Sequence, residues 1–264
     1  MWNRSIGRRE VRSDFELTRD GVLYARVTSW EGWRFPTGGP IFPVLRQPDK
    51  NLLAAPDPEG FVILHDPGWS SKTVEFLIRR FLSAHEIEQM GGVRQVLRRT
   101  EWLSGRIAAK DAVRNLLFQA GRRSVFPLEI GIGADVTGRP RVTGPLAGDI
   151  RISIAHKPGI AVAIAREGVD VGIDVEKIEP RNESFAAFAF SEDELRLLPA
   201  GNRDEWLTRF WSAKEATGKS RGTGLAGNPK GLKVRQVEGE RILVDATWVS
   251  TRNLGTHVMA WTAQ

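Results

Sequence analysis

The chain has 264 residues, 41% of them hydrophobic and 27% charged, with a formal net charge of +6 and no cysteine. This is the profile of a globular protein with room for one large or two modest cores, and it excludes disulfides and thiolate metal sites. No apolar run approaches the roughly 18 residues of a membrane span, and the first twenty residues lack the apolar centre of a secretory signal, so a cytoplasmic protein with an anionic partner is expected.

In chain order, DFELTRDGVLYARVTSWEGW predicts a hairpin about Asp20-Gly21. FPTGGPIFPVLRQPDKNLLAAPDPEG, rich in Pro and Gly, predicts irregular chain. Residues 1–60 are therefore expected to form an N-terminal extension without a convincing core of its own. FVILHD predicts a strand, and SSKTVEFLIRRFLSAHEIEQM one helix starting near Ser70 or Ser71. VRQVLRRTEWLSGRIAAKDAVRNLLFQA predicts a longer helix stopped by Gly121. Strands follow in EIGIGADV, RPRVT, RISIAHK and AVAIARE, the last two as a hairpin, and then VDVGIDVEK. The second half has a related order. SEDELRLL opens as a capping box of Ser191 and Glu194, and RDEWLTRFWSAKEATGKSRG is a long helix. A hairpin about Gly239 and the strand THVMAWTAQ close the chain. The expected fold is α+β: a pseudo-twofold pair of similar α/β lobes, 61–168 and 169–264, each with a small antiparallel sheet packed on a long helix, plus the extension.

On the strand GIDVE, Asp174 and Glu176 share one face. Two nearby carboxylates repel unless a cation or protons lie between them, and oxygen ligands without His or Cys suit magnesium or calcium. The alternative is a strand end reaching solvent, its acids paired with surface Lys or Arg. Trp211, Glu215 and Lys219 form one helical stripe. Taken alone, that Glu–Lys pair is ordinary helix stabilisation of ~0.3 kcal/mol. Trp206, Phe210 and Trp211 read as core anchors. Arg106, Lys110 and Arg114 stack along a face of the earlier helix, where an anion would offset their repulsion; a solvated basic face is the alternative.

GIDVE followed some forty residues later by WSAKEATGK resembles the signature of the 4′-phosphopantetheinyl transferases, of the larger two-lobed Sfp-like type. RISIAHKPG resembles the strand that carries Ser-His in that family, TGRPRV its Gly-Lys-Pro loop, and EWLSGRIAAK its Gly-Arg helix. The resemblance covers roughly 75–264. It implies transfer of the phosphopantetheine arm of coenzyme A to a serine of an apo acyl or peptidyl carrier protein, releasing adenosine 3′,5′-bisphosphate. It implies Mg²⁺ held by Asp174, Glu176 and Glu215, with Glu215 and Lys219 as catalytic residues. It assigns coenzyme A contacts to Arg98, Arg99, Arg106, Lys110, Arg139, His156, Lys157, Asp174 and Lys219. The chain departs from the pattern where Ala155 replaces Ser, Lys157 follows His156, and Arg139 replaces Lys before Pro140. A hydroxyl donor is lost there and a charge is gained.

The first sixty residues resemble linker or acyl-chain-processing remnants of a polyketide or polyunsaturated fatty acid synthase, which implies a parent synthase. The implied enzyme is a monomer with pseudo-dimeric internal architecture that binds neither nucleic acid nor membrane. Its carrier is expected to dock at the lobe junction and on IEPRNESFAAFAFSEDELRLL, through Phe185, Phe188, Phe190 and Arg181; the alternative is that these aromatics fill the core of the second lobe. Two other readings are an inactive carrier-docking domain of a synthase and a basic nucleic-acid-binding module. The gathered carboxylates argue against the first. Aromatics confined to helical apolar faces argue against the second.

Overall fold

The computed structural model describes residues 2–6, 10–33, 41–66, 68–93 and 95–262. The chain divides between Phe42 and Pro43 into two compact units. The first is an antiparallel meander of β1 (Trp2–Ile6), β2 (Glu10–Arg19) and β3 (Val22–Trp33). Its hairpin turns on Asp20 and Gly21, at φ 52° and 79°. A two-residue turn needs such left-handed residues, and Asp-Gly supplies them. The Phe15 and Trp30 rings meet edge-on at 6.4 Å. Leu17, Val22, Leu23 and Tyr24 stay exposed.

Where irregular chain is expected, α1 (Ile41–Arg46) and the short β4 (Ala55–Pro56) form; residues 35–40 lie outside the described residues. The segment that follows Pro43 is tied into the second unit rather than to an extension ending at residue 60. Leu53 and Ala54 donate their backbone N–H groups to Asp111 Oδ2 at 2.7 and 2.9 Å, and Arg114 donates to the Asn51 carbonyl at 3.0 Å.

The second unit continues with β5 (Phe61–His65), α2 (Ser71–Phe81), α3 (Ala84–Gly91) and α4 (Val96–Gln119). Then come β6 (Gly131–Ala134), β7 (Pro140–Thr143), β8 (Ile150–Lys157) and β9 (Ile160–Glu167). The six-stranded sheet has the order β4-β5-β9-β8-β7-β6, and α4 packs across it. The second lobe holds β10 (Ile173–Lys177), α5 (Glu183–Ala189), α6 (Glu192–Leu195) and α7 (Arg203–Ser220). It ends in β11 (Val234–Glu238), β12 (Arg241–Val244), β13 (Thr247–Asn253) and β14 (His257–Thr262). Its sheet has the order β10-β14-β13-β12-β11, with α7 packed on it. Strand for strand, β10-β14-β13-β12-β11 repeats β5-β9-β8-β7-β6. Among the described residues no helix is long and apolar enough to cross a membrane.

The single helix expected from Ser70 to Met90 is two. Ser83 accepts from Glu86 N, and Glu86 Oε2 accepts from Ser83 N at 2.9 Å, so a capping box starts a second helix. The same box stands at Ser191 and Glu194 in the second lobe. In each lobe the box glutamate is buried beneath a buried lysine of the long helix. Lys110 Nζ lies 2.7 Å from Glu86 Oε2 and also meets the Phe81 carbonyl. Lys214 Nζ lies 2.7 Å from Glu194 Oε1 and also meets the Ala189 and Pro229 carbonyls. The other strand of the box is the first of the meander: Ile132 N donates to Glu86 and Val234 N to Glu194. One glutamate thereby joins a short helix, the long helix and the sheet.

The lobes meet on an apolar layer that includes Phe61, Ala155 and Val162 from the first and Ile173, Val175 and Trp261 from the second. Ser153 Oγ accepts the Ile173 N–H at 3.0 Å across this junction.

Removing one partner of a buried ion pair leaves the other charge uncompensated. Glu86→Ala and Glu194→Ala are each expected to destabilise the second unit by about 3–5 kcal/mol in urea unfolding. A loss below about 1 kcal/mol in both would show that these pairs do not hold the lobes.

Candidate active site

Two requirements bring β10 against α7: an acidic strand end and a glycine before it. Gly172 leaves no room for a side chain, because an added Cβ would run into the Ala216 carbonyl of α7. With the backbones this close, the face of β10 that carries Asp174 and Glu176 meets the face of α7 that carries Trp211, Ser212, Glu215 and Lys219. Ile173 and Val175 point the other way, into the layer between lobes.

All four oxygens of the strand pair are engaged. Asp174 Oδ1 lies 2.6 Å from Lys219 Nζ, and its Oδ2 accepts from Ser212 Oγ at 2.9 Å. Glu176 Oε2 lies 2.9 Å from Lys157 Nζ, and its Oε1 accepts from the indole N–H of Trp211 at 3.3 Å. Trp211 is held in turn against Phe185, ring centroids 5.4 Å apart. Glu215 is the third carboxylate and takes no hydrogen bond from a fixed donor among the described residues. Burial first, and then the neighbouring Asp174, push its carboxyl above the ordinary range. Glu176 is pushed up by burial and by Asp174 in the same way. Three carboxylates therefore crowd one corner against two ammonium groups. They do not form a ready cluster for an ion, since no group of three or more His, Asp or Glu among the described residues is so arranged.

Beside this corner a cavity of about 340 Å³ opens between the lobes, lined by Arg139, Pro140, Ile154 and Lys219 among others. Arg139 bridges the lobes, 2.7 Å from Asp170 and 3.2 Å from the Ser220 carbonyl. A second cavity of about 230 Å³ shares Pro140 and Ile154 and is walled by Trp102, Gly105, Arg106 and His156. Arg106 lies over the Trp102 ring at 4.7 Å, and its buried Nε has no hydrogen-bond partner among the described residues. Gly105 lets His156 approach α4, since a Cβ there would stand 3.1 Å from the imidazole. Burial chiefly, with Lys219 and Lys157 adding to it, lowers the proton affinity of His156 despite Glu101 at 3.9 Å.

Of the residues expected to meet coenzyme A, the structure brings together Arg106, Arg139, His156, Lys157, Asp174 and Lys219. It does not bring Lys110, whose ammonium is buried on Glu86, so of the stripe Arg106–Lys110–Arg114 only Arg106 reaches a cavity. Arg114 is buried too, 2.7 Å from Asp111. Arg98 and Arg99 are exposed at the start of α4 and line neither cavity; Arg99 donates to the Val93 carbonyl. Of the expected docking aromatics only Phe188 is exposed, while Phe190 is buried and Phe185 packs on the core. Arg181 lies over the Phe185 ring at 4.5 Å. Ser212 and Gly172 complete the site from outside the set of residues that the sequence alone points to. Ser212 stands three residues before Glu215 and seven before Lys219, a spacing that places it on their face.

The profile of the 4′-phosphopantetheinyl transferase superfamily matches residues 170–261, from β10 to the end of β14. A 4′-phosphopantetheinyl transferase of Bacillus subtilis is 32% identical over 125 residues, 45% of this chain and 54% of that protein. The chain thus spans about half the length of that relative. A holo-[acyl-carrier-protein] synthase of Lactococcus lactis is 31% identical over 90 residues, 34% of this chain and 76% of that protein. Among solved structures, a holo-(acyl-carrier-protein) synthase from Bacillus anthracis in complex with CoA (3′,5′-ADP) matches with a TM-score of 0.34 and 26% identity, covering 40% of this chain and 90% of that one.

Gly172→Ala is expected to force β10 away from α7 and lower stability by at least ~2 kcal/mol in urea unfolding. Gly133→Ala is the control and should be near neutral, because its Cβ would meet only Thr143 at an ordinary 3.6 Å. Equal stability of the two variants would mean that the close approach of strand and helix does not exist.

Proposed function

The chain belongs to the 4′-phosphopantetheinyl transferase superfamily, and we propose that it transfers the 4′-phosphopantetheine group of coenzyme A to a serine of an apo acyl or peptidyl carrier protein, releasing adenosine 3′,5′-bisphosphate. The observation that carries this reading is the acidic corner joined to a cationic cavity: Lys219 lines the cavity between the lobes and also binds Asp174. An oxygen-only donor set that already draws in two ammonium groups fits a hard dication. Asp174, Glu176 and Glu215 would hold magnesium, which when bound supplies neutralisation of the crowded diphosphate and of the charge that builds on the departing phosphate.

The remaining work falls to side chains of this protein. Arg106, Arg139 and His156 face the two cavities as donors to phosphate oxygens, and the unpartnered Nε of Arg106 marks it as ready for an anionic acceptor. A guanidinium suits that task because its planar fork matches phosphate. Attack by the serine Oγ forms the new phosphorus–oxygen bond as the bond to adenosine 3′,5′-bisphosphate breaks. The hydroxyl proton passes to Glu215, directly or through water, because Glu215 is the carboxylate free of fixed donors and burial strengthens its hold on a proton. Lys219 keeps positive charge beside the leaving phosphate.

Several further points belong to the same proposal. The lobes 61–168 and 169–264 are the transferase halves, and one chain supplies both walls of the cavity, which supports a monomer. The exposed Phe188 offers an apolar point for the carrier. The carrier is proposed to be that of a polyketide or fatty acid synthase, and the enzyme to act in the cytoplasm.

Incubation with coenzyme A, magnesium and a panel of apo carrier proteins, read by intact mass, tests the reading. A serine-linked phosphopantetheine adduct is expected on at least one carrier and none in chelator. Glu215→Gln should slow transfer on the order of a hundredfold or more, and Asp174→Ala or Glu176→Ala should abolish it, with circular dichroism unchanged. Full transfer in chelator, or by all three variants, would overturn the assignment.

A further inference from the structure

Lys157 ends β8 in the first lobe, yet its ammonium is pinned to Glu176 of the second, 2.9 Å from Oε2. The other Glu176 oxygen is fixed by the Trp211 indole, so this carboxylate is fully engaged. Lys157 is a cation on a carboxylate that the dication of the proposed reaction would use. An ammonium and a dication on one carboxylate oxygen of a half-buried corner compete for it, because like charges at that distance repel strongly when water is scarce. The Lys157 side chain is 37% exposed, so it can leave. It also lies near His156, whose proton affinity it depresses together with Lys219. His156 is part of the cavity wall.

We propose that Lys157 is an internal competitor for the dication, and that its release couples dication binding to the binding of the phosphorylated substrate. When the dication takes Glu176, Lys157 is freed to meet phosphate oxygens, and each ligand raises the affinity for the other by the same factor. Until it is displaced, Lys157 keeps Glu176 compensated and oriented. This inference rests on the reading of Asp174, Glu176 and Glu215 as dication ligands.

Calorimetric titration of magnesium chloride into the full chain tests it, with and without coenzyme A and with no carrier protein present. The variants are Lys157→Met, Lys157→Arg and Glu215→Gln, each checked by circular dichroism. Without coenzyme A, Lys157→Met should bind magnesium about tenfold more tightly than the parent, a difference of ~1.4 kcal/mol, and Lys157→Arg should keep the weaker binding. The factor by which magnesium tightens coenzyme A binding should shrink in Lys157→Met. Equal magnesium affinity in the parent and Lys157→Met, or undiminished coupling, would overturn the competitor role and leave the dication site standing. Absence of magnesium binding throughout, or binding unaltered by Glu215→Gln, would overturn both readings.

Discussion

Three carboxylates confined to one half-buried corner require positive charge, and much of the second unit serves that requirement. Asp174 and Glu176 come from one strand and Glu215 from a helix that the strand can reach only because residue 172 is glycine. The positive charge comes from both lobes: Lys219 from the helix of the second and Lys157 from a strand of the first. Apolar packing between the lobes fixes the distance between these groups. A structure that only hid polar groups would have no reason to assemble such a corner, since burying like charges together opposes folding. The arrangement is compatible with a site that waits for a more highly charged ligand.

The internal repeat separates what the two lobes share from where they differ. Each lobe has a capping-box glutamate under a buried lysine, Glu86 with Lys110 and Glu194 with Lys214. The residue after each lysine is acidic, but the two have diverged. Asp111 fastens the chain at Leu53 and Ala54 and holds Arg114, whereas Glu215 faces the acidic corner. The strands differ likewise: β5 has Val62 and Leu64 where β10 has Asp174 and Glu176. Apolar side chains at the first-lobe positions remove any second acidic corner and let that strand pack on both faces. The first lobe thus gives structure and Lys157, and the second gives the three carboxylates together with Lys219.

Local rules were legible in the sequence. The Asp20-Gly21 turn, the Ser191–Glu194 box and the shared face of Asp174 and Glu176 each depend on residues a few positions apart. What depends on distant partners was not. Periodicity correctly put Arg106, Lys110 and Arg114 on one helical face, but it could not say that Glu86, twenty-four residues before Lys110, covers that face. The break at Ser83 repeats the Ser-x-x-Glu spacing read at Ser191, so its signal was present and was overridden by a continuous helical pattern. The Lys157–Glu176 pair joins two lobes, and no spacing announces it.

The central claim is that Asp174, Glu176 and Glu215 converge on a dication beside the phosphates of coenzyme A. The most direct measurement is anomalous diffraction from crystals of the full chain grown with manganese and coenzyme A. The account predicts an anomalous peak within coordination distance of all three carboxylates, with phosphate oxygen completing the shell and the Lys157 ammonium moved off Glu176. Manganese bound elsewhere, with Lys157 still on Glu176, would contradict it.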